Sequence, residues 1–348
     1  MSFISHVRSG DPPMRVLVIA LVADKPSTRL RILPLVERLR QRGHYVGLIE
    51  LPSGPIGRLG LLRQAASHDV VLLQKKLFPR AFVALLQRAN PQLIFDVDDA
   101  VMFHELERGQ ALTGRFFQRF CTIARASLCV VAGNGFIAEH ARAARPRSVD
   151  DHGVVVLPTP IDTDMLTMRP PDDNGHSPVI GWIGTKGNLR QLLPLAAALR
   201  DVAATVPRLH LRLVADATID IPGVRVDCKA WRADEELADL HGFDIGIMPL
   251  EDSLWNRGKG GYKLLQYMAA GLPAVASPVG INSEIVRDGE NGYLAHNADT
   301  WRTRLLQLAQ DADLRHRIGQ AARTTVVTQF SLSRYLDRYC QLIESCRP

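Results

Sequence analysis

The stretch Arg257 to Ser277, RGKGGYKLLQYMAAGLPAVAS, places three cations, Arg257, Lys259 and Lys263, around a run of glycines that opens a helix. Glycine lets the backbone approach a ligand closely. A helix N-terminus adds unsatisfied N–H groups and a partial positive charge, and the cations add charge-assisted hydrogen bonds. Such a combination suits phosphate oxygens. The loop is not a Walker A motif, because Gly-x4-Gly-Lys-Ser/Thr is absent. The competing reading is a capped helix with exposed lysines. A second phosphate candidate is Gly181 to Asn188, GWIGTKGN, where a strand ends and turns through Gly184-Thr185-Lys186-Gly187 into a helix.

A third chemical signal is Asp96-Val97-Asp98-Asp99, just past the end of an apolar strand. Three carboxylates within four residues repel one another unless they meet a cation, a metal or hydrogen-bond donors. Asp98 or Asp99 could orient a hydroxyl or act as its base. Alternatively, one aspartate caps the next turn and another pairs with an arginine. Gly133-x-Gly135-x-x-Ala138 imitates a dinucleotide fingerprint, with Asp150-Asp151 downstream for a ribose. It falls late in its alternating unit rather than after the first strand, so a structural strand–turn–helix is the better account. The histidines His152, His241, His296 and His316 form no metal-binding spacing, and no nucleophile elbow is present, so no metal site is expected.

Positioning these groups calls for alternating strands and helices. Expected strands are Met14 to Val22, Tyr45 to Leu51, Val70 to Gln74, Gln92 to Asp96, Ser127 to Ala132 and Val154 to Leu157. Expected helices are Leu30 to Arg42, capped by Ser27-Thr28 and ended by Gly43, Arg80 to Ala89, Phe116 to Ala126 and Phe136 to Ala144. After a Pro- and Asp-rich stretch the alternation restarts. Its strands are Val179 to Ile183, Leu209 to Ala215, Val224 to Cys228, Ile245 to Met248 and Ala274 to Ala276. Its helices are Asn188 to Val206 and Tyr262 to Ala270. The pattern implies an α/β protein of two Rossmann-like, doubly wound parallel-sheet domains, with ligands beyond the carboxyl ends of the strands, in a cleft that the domains face. The expected divisions are a flexible N-terminus at 1–13, a first domain at 14–168, a linker at 169–178, a second domain at 179–325, and a C-terminal helix at 326–348 that packs back on the first domain.

The 348 residues are 46% hydrophobic and 22% charged, a balance that fits two globular domains. No apolar run approaches the roughly 18 residues that span a bilayer, and the N-terminus does not read as a signal peptide. Five scattered cysteines without a CxxC argue against disulfides or zinc and fit a reducing cytoplasm. The formal charge of +6 is unevenly placed. Residues 1–168 hold 21 Lys and Arg against 15 Asp and Glu, and residues 169–348 hold 21 of each. Arg29, Arg31, Arg38, Arg40 and Arg42 crowd one helix. This is either a face for anionic lipid, giving peripheral attachment to a membrane, or an ordinary solvated helix. Nucleic acid fits poorly, since the basic residues are not interleaved with aromatics.

The segments FDVDDAVM (95–102), VVAGNGFIAEHA (130–141), VVVLPTPIDTDML (154–166), FDIGIMPL (243–250), RGKGGYKLLQYMAAGLPAVASPVGINSEIV (257–286) and DGENGYLA (288–295) resemble the family 4-like, group 1 glycosyltransferases of the GT-B fold. The resemblance implies a retaining, metal-independent hexosyltransferase. Its donor would be a nucleotide diphosphate sugar, a substrate rather than a cofactor, and its acceptor a glycan or lipid-linked precursor of a polysaccharide. It also implies donor-binding roles for Gly184, Thr185, Lys186, Trp231, Arg257, Gly258, Lys259, Lys263, Gln266 and Glu284. Catalytic roles are implied for Lys186 and Lys263, beside Asp98 and Asp99. Many members carry two glutamates separated by seven residues, where this chain has Gly258 and Gln266, and the usual first-domain histidine has no equivalent beside Asp98-Asp99. Either the sugar contact differs, or the chain is an inactive GT-B-like binding subunit; an epimerase or hydrolase on the same scaffold is a further alternative.

Overall fold

The computed structural model describes residues 12–52, 54–107, 109, 113–145, 153–170 and 177–348. The chain forms two compact units. The first comprises residues up to Pro160 together with Ser253–Gly260 and Ser333–Pro348; the second comprises Ile161–Asp252 and Gly261–Leu332. Most of the expected flexible N-terminus, the middle of the 169–178 linker, Asp150-Asp151 and His152 lie outside the described residues.

The first unit is built on six parallel strands in the order β2-β1-β3-β4-β5-β6: β1 Arg15–Ala20, β2 Tyr45–Glu50, β3 Val70–Gln74, β4 Leu93–Val97, β5 Cys129–Ala132 and β6 Val154–Val156. Strands β3, β4 and β5 are buried along their whole length and are apolar apart from Gln74 and Asp96, as strands covered on both faces are. The connecting helices are α1 Leu33–Gln41, α2 Gly54–Ala66, α3 Arg80–Ala89, the short α4 His104–Glu107, α5 Arg115–Ala126 and α6 Gly135–Ala144. Leu73, Val83, Leu86, Phe95, Phe120 and Ile137 belong to one core between the sheet and these helices.

The expected helix from Leu30 begins differently. A π-helical turn, Thr28–Ile32, precedes α1, and no side chain caps it at Ser27. Thr28 Oγ1 instead donates to Gln74 Oε1 at 3.0 Å, so tertiary pairing displaces the cap.

The second unit repeats the design, with order β12-β11-β10-β7-β8-β9, all parallel. Its strands are β7 Val179–Ile183, β8 His210–Val214, β9 Arg225–Lys229, β10 Ile245–Met248, β11 Ala274–Ala276 and β12 Tyr293–Leu294. Its helices are α7 Ala196–Thr205, α8 Glu236–His241, α10 Tyr262–Ala269, α11 Asn282–Ile285, α12 Ala298–Gln310 and α13 Ala312–Gln329. Helix α9, Leu254–Arg257, and the C-terminal α14, Leu332–Ser345, complete the chain; α9 and nearly all of α14 lie in the first unit.

The long helix expected from Asn188 is a 3-10 segment, Lys186–Leu195, followed by α7. Pro194 explains the break: it has no N–H to give to the preceding turn, and it disfavours helical geometry at Leu193. Helix α10 ends as expected at Gly271, whose φ of 72° permits the paired bonds Gly271 N–H to Met268 O and Leu272 N–H to Tyr267 O.

Candidate functional site

In the second unit, the strand order reverses between β7 and β10, the position where ligands of doubly wound sheets bind. Strand β7 ends at Ile183, whose N–H donates to the buried Tyr267 hydroxyl at 3.0 Å, and the chain then turns at Gly184. The ammonium of Lys263, in the first turn of α10, lies across this turn. It sits 4.1 Å from the centroid of the Trp182 ring. A Cβ on residue 184 would run into Lys263 Nζ and come within 2.7 Å of the Trp182 ring, so glycine is the residue that makes room. Gly184 and Lys263 are thus brought together.

Thr185 and Lys186 follow on the same turn and are exposed. The Lys186 N–H donates to Asp216 Oδ1 at 2.7 Å, and Thr185 Oγ1 accepts from Asn188 Nδ2 at 3.1 Å, which holds the turn in place. Gln266, one helical turn beyond Lys263, is buried. Trp231 stands on the loop after β9, half-exposed, and its indole N–H donates to Glu236 Oε2 at 2.9 Å. Glu284 is exposed on α11. Beyond the carboxyl ends of β10, β11 and β12 opens a pocket of about 390 Å³, lined among others by Gln191, Glu251, Ser277, His296 and Trp301. The platform Trp182 was not singled out from sequence. An aromatic two residues before a strand-ending glycine and lysine is the signal that could have found it.

Arg257, Gly258 and Lys259 belong to the first unit. The buried Asn134 holds them. Its Oδ1 accepts from Ile137 N–H at 2.9 Å, capping α6, while its Nδ2 donates to the carbonyls of Arg257 at 3.2 Å and Lys259 at 3.1 Å. The Gly133-Asn134-Gly135 turn is therefore a structural clamp. At Gly133 a Cβ would lie 2.6 Å from Asp98 Cα, so this turn packs directly on the aspartate segment. A side chain at 258 would run into Ala100 Cβ and come within 2.8 Å of the Ala100 backbone nitrogen. The space of a residue-258 side chain is filled by the chain itself.

The three aspartates after β4 divide into two kinds. Asp96 is wholly buried and pairs with the equally buried Arg31, Nη2 to Oδ2 at 2.7 Å and Nε to Oδ1 at 3.3 Å. Arg31 also donates to Leu157 O at 2.8 Å, and the Tyr339 hydroxyl of α14 donates to Asp96 Oδ2 at 2.8 Å. Burial is the largest single influence and opposes the Arg31 charge, but Asp96, Tyr335 and Asp98 together outweigh it and raise the guanidinium well above its ordinary value. Asp96 is a structural residue.

Asp98 and Asp99 meet a different cation, Lys75, which follows β3. Lys75 Nζ lies 2.9 Å from Asp98 Oδ1 and 2.5 Å from Asp99 Oδ2. Burial works against the ammonium, yet the two carboxylates win and raise it above the usual lysine value. For Asp98, burial pushes upward while Lys75 and Arg31 pull harder downward, and the net is a lowered carboxyl. Asp99 goes the other way: burial and Asp98 push it up against Lys75 and Lys259. Two neighbouring carboxyls driven apart are a recognised signature of acid–base sites. Lys75 escaped the sequence reading, although Lys75-Lys76 at the carboxyl end of a buried strand is a readable signal.

The arginines at 29–42 all make interactions within the chain, and Arg40 donates to the Val46 carbonyl at 3.1 Å. Arg31 is buried, and Arg38 and Arg42 pair with Asp337 and Glu344 of α14. Among the described residues, no cluster of three or more His, Cys, Asp or Glu could hold a metal ion, and no helix is long and apolar enough to cross a membrane.

The two sheets with their connecting helices have the fold of two-domain GT-B glycosyltransferases. HepE of Anabaena, solved in complex with UDP and glucose, superposes with a TM-score of 0.69 at 15% identity, over 95% of this chain and 100% of that one. A glycosyltransferase from Rickettsia africae superposes with a TM-score of 0.73 at 15% identity, over 97% and 99%. These likenesses establish the fold. Residues 177–311 match the family model of group 1 glycosyl transferases. Over 81 residues the chain is 33% identical to N-acetyl-alpha-D-glucosaminyl L-malate synthase of Bacillus anthracis, a stretch covering 23% of this chain and 21% of that enzyme. The chain spans about a fifth of the length of the curated relatives it matches.

Proposed function

We propose that this chain is a retaining glycosyltransferase that moves a hexose-type sugar from a nucleotide diphosphate sugar to a glycan or lipid-linked acceptor. The observation that carries the reading is the ammonium of Lys263 fixed against the Gly184 turn, inside the segment that matches the group 1 family model. When the glycosidic bond to the donor breaks, negative charge builds on the departing diphosphate. Preorganised cations and N–H groups aimed at that charge are the largest usual source of catalysis. Lys263 and Lys186 supply cations, and the Gly184 turn leaves room for phosphate oxygens. Because the chain carries its own positive charge here, the reading needs no metal or resident cofactor. The first unit would hold the acceptor, with Asp98 and Asp99 at its hydroxyl. Peripheral attachment to an anionic membrane belongs to the same proposal and would draw on the excess of Lys and Arg over Asp and Glu in residues 1–168. UDP-glucose is the first donor to try, since HepE binds it.

One observation favours a second reading, an inactive subunit that binds nucleotide without transfer: Ala100 fills the space where a carboxylate at 258 would meet the sugar. A single experiment separates the two. Purified protein is incubated with UDP-glucose, EDTA and a glycolipid extract of the source organism's membranes, and the anomeric proton is followed by NMR. An α-linked product formed despite the chelator is expected. A β-linked product would refute retention, free glucose or an epimer without acceptor would indicate a hydrolase or epimerase, and UDP binding without turnover would establish the inactive subunit.

A further inference from the structure

We propose that the pocket beyond the carboxyl ends of β10, β11 and β12 binds a neutral sugar residue, at a site separate from the Gly184 turn. The pocket is about 390 Å³, a usual size for a small-molecule site, and every residue lining it belongs to the second unit. Trp182, Gly184, Lys186 and Lys263 are not among those residues. Sugar binding here is independent of whether the chain transfers sugars.

A ligand is called for by lining side chains whose acceptors are used and whose donors are not. Gln191, 6% exposed, takes the Glu251 N–H on its Oε1 at 2.8 Å, and its Nε2 has no hydrogen-bond partner among the described residues. Ser277, 8% exposed, accepts the Leu250 N–H on its Oγ at 3.0 Å, and its own O–H likewise meets no acceptor among them. These two bonds pin the loop after β10 from both sides, so the wall of the pocket is preformed. Asn297 repeats the pattern: its Oδ1 caps α12 by accepting from Thr300 N–H at 2.9 Å, and its Nδ2 donates to no described residue. Buried donors without partners cost stability unless something in the pocket meets them.

The lining selects the molecule that can. Glu251 and Asp252 line the pocket, and among the described residues no Lys or Arg does. That sign of charge repels phosphates and carboxylates. An ammonium would be drawn to the carboxylates but would face three donors. A hydroxyl both accepts and donates, so it suits the amide and serine donors and the carboxylates together. Trp301, 5% exposed, adds an aromatic side chain to the wall, suited to the C–H face of a ring. A neutral pyranose combines these features.

The test uses the full chain carrying 5-fluorotryptophan and follows its four indoles by 19F NMR. Trp301→Phe assigns the pocket resonance; should that variant fail to fold, Trp182→Phe, Trp231→Phe and Trp255→Phe assign it by elimination. Methyl glycosides of glucose, galactose, mannose and N-acetylglucosamine are the probes. Ligand-efficiency bounds put a single sugar ring at about 1–10 mM. At least one probe should move the Trp301 resonance saturably, with the same affinity when UDP is saturating. Gln191→Met should weaken that probe at least about 5-fold with UDP affinity unchanged, and so should Asn297→Ser, which keeps a cap for α12. If Gln191→Met fails to fold, Asn297→Ser carries the test. No saturable shift with any probe, competition by UDP or inorganic phosphate, or unchanged affinity in the folded variants overturns the sugar site. A sugar shift in protein that binds no UDP overturns the transfer reading instead.

Discussion

Replacing Asp96 by alanine leaves the wholly buried Arg31 guanidinium, among the described residues, with Leu157 O as its remaining hydrogen-bond acceptor, after the loss of contacts at 2.7 and 3.3 Å. Removing one partner of a buried ion pair costs about 3–5 kcal/mol, because the other charge is stranded away from water. The Tyr339 hydroxyl loses its acceptor as well, which adds about 1 kcal/mol. Against a total stability of about 5–15 kcal/mol this is a large fraction. Replacing both partners by apolar residues, Arg31→Met with Asp96→Leu, strands no charge and should cost far less than the single change. Urea unfolding followed by circular dichroism reads both. A single variant that loses less than about 1 kcal/mol, or a double variant that loses as much as the single one, would refute the assignment of Asp96 as a structural partner of Arg31.

Two further substitutions probe the segment from Ser253 to Gly260. Gly258→Ala should destabilise by about 1–3 kcal/mol, since the added methyl meets Ala100 and its backbone rather than a flexible side-chain end; thermal denaturation checks this. Asn134→Ala removes the cap of α6 and both bonds to the Arg257 and Lys259 carbonyls. It should cost about 1–2 kcal/mol from the cap alone, which thermal denaturation would detect.

The sheet frames were readable because parallel strands buried on both faces are written as unbroken β-branched and apolar runs. Val70–Gln74, Val179–Ile183, Ile245–Met248 and Ala274–Ala276 appear where such runs stand. Helix α2 was not foreseen, because Gly57 and Gly60 interrupt it and its apolar residues form no stripe at helical spacing. The 3-10 segment at 186–195 depended on Pro194, which outweighs the helical periodicity around it. The candidate site was legible where chemistry is local, as in the Gly184 turn and the cationic start of α10. It was not legible where chemistry is made by distant pairs. Arg31 meets Asp96 across 65 residues, Lys75 meets Asp99 across 24, and Asn134 reaches the Lys259 carbonyl across 125. Nothing in the composition of 96–99 says which aspartate will find an arginine and which a lysine.

The central claim is that the Lys263 ammonium, seated on Trp182 at the Gly184 turn, receives a nucleotide diphosphate. Titration calorimetry of UDP into the wild type and Lys263→Met measures this directly, with circular dichroism confirming that the variant is folded. A charge-assisted hydrogen bond contributes about 1.5–3 kcal/mol, so the variant should bind UDP about 10- to 150-fold more weakly. Equal affinity in the two proteins would contradict the account.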